Sequence, residues 1–105
     1  MQPLPGLRVA VELVAHALQL VPSDFPEAGR LYSRYVLVTG EEGGDYQGAM
    51  DGCDSALIIA QPSGDLALEM GTLAYSSTVD YWHLRWQGTG TKGLRVIELA
   101  RRAED

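Results

Sequence analysis

Tyr81, His83 and Arg85 stand at every second position, the spacing that puts side chains on one face of a strand. Such a row could orient an anion or move a proton in acid–base work. The same three residues equally make the polar face of a sheet whose other face, Trp82, Leu84 and Trp86, is core. Cys53 could pair with His83 as a nucleophile and its base if the fold joins them. Asp51 and Asp54 flank that thiol, however, and carboxylates oppose the thiolate. An inert cysteine is the expectation. His16 follows Glu12 by one helical turn, an ordinary surface pair. No catalytic residue is assigned, and the chain is read as a binding protein ahead of an enzyme.

The second candidate is electrostatic. From Tyr35 to Leu84 there is no lysine or arginine, while Glu41, Glu42, Asp45, Asp51, Asp54, Asp65, Glu69 and Asp80 are all acidic. Five of these lie between Gly40 and Asp54, a stretch with five glycines as well. That composition buries little and predicts a loop. Its carboxylates could in principle ligate a hard cation, but the acid spacing of a calcium-binding loop is absent. Phosphate binding is disfavoured too, since no Lys-Ser/Thr pair follows the glycines. No metal and no cofactor are expected. The residues proposed to meet a protein partner are Glu41, Glu42, Asp45, Tyr46, Asp51 and Asp54.

Charge and composition bound the remaining classes. A net charge of −6 over 105 residues argues against nucleic acid and for a partner with a basic surface. With 46% apolar and 21% charged residues the chain has ordinary globular composition, and its length suits one domain, residues 1–105. The single cysteine excludes an internal disulfide and suggests a reducing, cytoplasmic setting. The opening residues lack the basic segment of a signal peptide, and the apolar run after them is broken by Arg8, Glu12 and His16. Neither a leader nor a membrane span is expected.

The elements that must position these residues follow from hydrophobic period. Leu7, Val11, Val14, Leu18 and Val21 form a helical stripe that Pro22 ends. Ser23 to Arg30 reads as a connection with one short turn from Pro26. Leu31 to Thr39, rich in Tyr, Val and Leu, predicts a strand. Ala56 to Gln61 predicts another, and Gln61-Pro-Ser-Gly-Asp65 a hairpin turn. Leu66, Leu68 and Met70 alternate, with a bulge expected at Gly71 before Leu73 and Tyr75. Thr78 to Gln87 predicts the next strand. Gly88 to Gly93 predicts a flexible turn, and Leu94 to Ala100 a last strand or short helix. No internal repeat is visible.

The fold expected from this pattern is α+β: one N-terminal helix packed on an antiparallel meander of about five strands. Three functions fit it. The leading one is a small acidic interaction module, such as an inhibitor, immunity or antagonist protein. The second is a subunit of a homo-oligomer or phage-type structural assembly. The third is a small enzyme or ligand-binding domain using His83, Tyr81 and Arg85.

Overall fold

The computed structural model describes residues 5–22, 25–41 and 44–104. They form five helices: α1 (Pro5–Leu20), α2 (Pro26–Thr39), α3 (Tyr46–Ser63), α4 (Leu66–Trp82) and α5 (Trp86–Glu104). Among the described residues there is no strand. The α+β class and its antiparallel sheet are therefore overturned. Of the expected elements, the first helix is present as α1.

The reason lies in how short apolar runs were read. Leu31 to Thr39 carries β-branched and aromatic residues, yet its buried members Ser33, Val36 and Thr39 recur at helical spacing. The supposed strand Ala56 to Gln61 lies wholly inside α3. Leu66, Leu68, Met70, Leu73 and Tyr75 all belong to α4, so no bulge is needed at Gly71. The alternation at Trp82, Leu84 and Trp86 comes from two helix ends and a tight link, with Leu84 held at φ 60°. The glycine segment from Gly88 to Gly93 is a continuous part of α5.

Local signals end and start these helices. Gly40 closes α2, its N–H bonding Val36 O. Asp45 begins α3 by accepting from Gly48 N at 2.9 Å, and Asp65 begins α4 by accepting from Leu68 N at 3.0 Å. Between them Gly64 takes the left-handed conformation that a helix C-terminus favours. The sequence Pro-Ser-Gly-Asp thus makes a helix–helix corner where a hairpin turn was expected.

Packing arranges the helices as a stack. Gly40 meets Ala49 and Gly29 meets Ile59, so α2 and α3 are antiparallel. Asp80 meets Lys92 and Glu69 meets Arg95, so α4 and α5 are antiparallel as well. Gly29 also touches Leu68, and Gly40 touches Val79, the same offset at both ends. Helices α2 and α4 therefore run parallel, side by side, as the first helices of two successive hairpins. Helix α3 packs against both α2 and α4, while α1 packs chiefly on α2 and α5 chiefly on α4.

The core between them is built from small residues. Ala28, Ala49, Ala56, Ala60, Cys53, Val36 and Val79 are buried, with Ser33, Thr72 and Ser76 beside them. Small side chains let helix axes approach closely. At Gly40 an added methyl would stand 2.6–2.8 Å from Val79 and Ala49. Leu73 and Leu99 are the large apolar residues buried with them, while Leu13, Leu20, Ile58, Trp86, Leu94 and Ile97 are each more than half exposed.

Candidate functional site

Two features stand out: a buried polar node where α3, α4 and α5 meet, and an uncovered apolar row along α5. The node centres on Asp80, which is fully buried on the inner face of α4. Its Oδ2 accepts from Lys92 Nζ at 2.6 Å, and its Oδ1 accepts from the Tyr46 hydroxyl at 2.6 Å. Lys92 also donates to Ser76 Oγ at 2.7 Å and lies 3.3 Å from Met50 Sδ. All three ammonium hydrogens are thereby used. Gly88 permits this approach, since a Cβ there would lie 2.5 Å from Asp80 Oδ2.

A Ser–Lys–Asp cluster could serve nucleophilic chemistry, but here the geometry opposes it. Ser76 is wholly buried and turns its own hydrogen toward Met50 Sδ. Lys92 gives its hydrogens to Asp80, Ser76 and Met50. Burial, then the hydrogen bond to Asp80, hold the Tyr46 phenol above its ordinary range. Burial likewise pushes the Cys53 thiol up, against the smaller opposing pull of Ser76 and Lys92. These groups fasten helices together. A second bridge does the same farther along: Glu69, also buried, accepts from Arg95 at 3.5 Å and Gln61 at 3.3 Å.

The row Tyr81, His83, Arg85 does not survive as a row. Tyr81 lies on the exposed side of α4, edge-on to Trp86 with centroids 5.5 Å apart. His83 caps α4 and places Nε2 2.8 Å from Gly40 O. A carbonyl only accepts, so that nitrogen carries the hydrogen. Arg85 sits over the Tyr46 ring at 4.6 Å. His83 and Arg85 thus converge on Tyr46, and Tyr81 faces away. Trp82 is half-buried against the core, whereas Trp86 is exposed.

The acidic set disperses in the same way. Asp45 is spent as a helix cap, and Tyr46 turns inward to Asp80. Asp51 and Asp54 are exposed on α3, Asp51 accepting from Gln47 at 3.0 Å, and Glu41 is half-buried after α2. Glu42 lies outside the described residues. The expected loop is therefore mostly helix α3. Of the remaining acids, Asp65 caps α4, while Glu69 and Asp80 are paired with cations of α5. Asp45, Asp65, Glu69 and Asp80 are thus occupied in capping helices or joining them.

The apolar row was not anticipated. Trp86, Gly90, Leu94 and Ile97 follow a helical 4-4-3 spacing on the side of α5 opposite Lys92 and Leu99. Tyr81 and Leu84 extend the patch at one end. Its signal was present, but three glycines interrupting the segment read as a turn. Among the described residues no cluster of His, Cys, Asp or Glu is placed to hold a metal ion. Nor is any described helix long and apolar enough to cross a membrane. Comparison with protein-family models, with curated proteins and with solved structures finds no match for this chain.

Proposed function

We propose that the protein is a protein-interaction module of stacked helical hairpins that binds through the outer face of α5. The observation that carries this reading is the uncovered row of Trp86, Leu94 and Ile97. Tryptophan and large aliphatic side chains left in water over several turns mark contact surfaces, and they are costly otherwise. The small-residue core sharpens the point, because these large side chains stay more than half in water. The polar node supports the reading as well: it fixes α5 on α4, so that the face is presented on a rigid support.

The exposed carboxylates Glu41, Asp51 and Asp54 are the part of the acidic set open to a basic partner surface. They contribute to approach, and the apolar face supplies contact. One unpaired cysteine accords with action in the cytoplasm. The test is a photo-crosslinking residue placed at position 94 or, for comparison, at position 54, in living host cells. Protein adducts at position 94 are expected. Adducts confined to position 54 would return the binding surface to the acidic helix, and none at either position would remove the interaction reading.

A further inference from the structure

Away from the node and the α5 face, the groove between α2 and α4 holds polar groups that the fold leaves unused. One side of α2 carries Arg30, Ser33, Arg34, Leu37 and Val38, at the i, i+3, i+4, i+7, i+8 spacing of a single helix face. That face is cationic and polar over its first half and aliphatic over its second. Beside the polar half lies a cavity of about 320 Å³, bounded on the α4 side by Asp65, Leu68, Gly71 and Tyr75. Beside the aliphatic half lies a second cavity of about 310 Å³, lined by Ala10, Val14, Leu37 and Val38. Arg34 and Tyr75 line both, so the two adjoin. Each has the size of a small-molecule site.

The polar cavity holds donors without acceptors. Ser33 is only 5% exposed, and its hydroxyl bonds none of the described residues. A buried hydroxyl facing a cavity is costly unless something in the cavity bonds it. Arg34 has no carboxylate partner among the described residues, and Arg30 has only an exposed contact to Glu27 at 3.8 Å. The two arginines are one helical turn apart, so both guanidiniums reach the same side. Asp65 is the one acidic residue of the lining, and its Oδ1 is used in capping α4. Two cations against one carboxylate leave a single positive charge, which suits a monoanion better than a dianion such as phosphate. Gly71 keeps the floor open, since a Cβ there would meet nothing within 4 Å.

We infer that this groove binds a small amphiphilic monoanion, a carboxylate carrying an aliphatic chain. The carboxylate accepts hydrogen bonds from Arg34, Arg30 and the Ser33 hydroxyl. The chain runs past Tyr75 toward Val14, Leu37 and Val38. Arg34, at the junction, fixes which end of the ligand lies where. None of the lining residues belongs to α5, so the site is separate from the protein-binding face proposed above.

Calorimetric titration of the whole chain with octanoate, 1-octanol and acetate tests both halves of the site. Octanoate should bind one to one. Octanol and acetate should each bind at least about tenfold more weakly, because each lacks one set of contacts. Arg34→Gln, at an exposed position, should weaken octanoate about tenfold and leave octanol unchanged. Gly71→Leu should fill the floor and abolish octanoate binding, yet melt at or above the wild type because the helix loses a glycine. Octanol binding as tightly as octanoate, or octanoate binding untouched by Arg34→Gln, would overturn the carboxylate site. Acetate binding as tightly as octanoate would overturn the aliphatic one. No octanoate binding, or full binding by a folded Gly71→Leu, would overturn the groove as a ligand site. Were Gly71→Leu to melt early, Arg34→Gln would decide alone. Crosslinking from position 94 reads the protein-binding face independently of all these outcomes.

Discussion

Asp80 and Lys92 show what a buried charge does in this fold. The carboxylate is removed from water and depends on the ammonium, the Tyr46 hydroxyl and close helix packing around Gly88. Such a pair adds little net stability over an apolar isostere, but loss of one partner strands the other. Lys92→Met should therefore lower unfolding free energy by about 3 kcal/mol, toward the low end for buried pairs because Lys92 retains some solvent contact. Replacing Asp80 as well, by leucine, should recover most of that loss in denaturant melts. If the single and double variants were equally destabilised, the lysine would matter for packing rather than charge. Little of this was legible in the sequence. The basic-free block could be read directly, but nothing in it shows that Asp80 points inward or that its counter-charge comes from α5. The opposite signs of the two segments were the trace of the pairing.

At the scale of elements, glycine decided the outcome. The composition around Gly40, Gly48 and Gly52 predicts a loop, and that of Gly88 to Gly93 a turn. Yet all but Gly40 are helical, and at Gly40, Gly52 and Gly88 another helix or a buried carboxylate comes close. A glycine within a helix costs about 1 kcal/mol against alanine, so composition alone points away from helix. Tertiary contact reverses that preference. Gly40→Ala should cost about 1–3 kcal/mol, since Val79 and Ala49 leave no room and neither is a flexible side-chain end. Thermal melting would check it, and an unchanged or raised melting temperature would show that α2 and α4 can part at that point. The first helix was legible because its stripe runs unbroken for several turns. The proposed strands failed because runs of six to nine apolar residues fit either period. Helical caps at Asp45 and Asp65 were readable from residue type, but each stood beside glycines that suggested a turn instead.

For the whole molecule, burial and exposure are distributed unusually. Alanine, glycine, serine and threonine fill much of the inside beside Val36, Leu73, Val79 and Leu99, while Trp86, Leu94 and Ile97 stand exposed on α5. This follows from stacking hairpins, whose inner faces approach closely. Helix contacts run continuously from α1 to α5. Under the proposed function the binding site expected in the acidic segment moves to the outer face of α5. Ile58, exposed by 71% on α3 near Asp54, provides an internal control for that move. The most direct measurement is in-cell photo-crosslinking from position 94 of α5 beside position 58 of α3. Protein adducts from position 94, with none from position 58, are the result expected. Adducts from position 58 and none from position 94 would contradict the account.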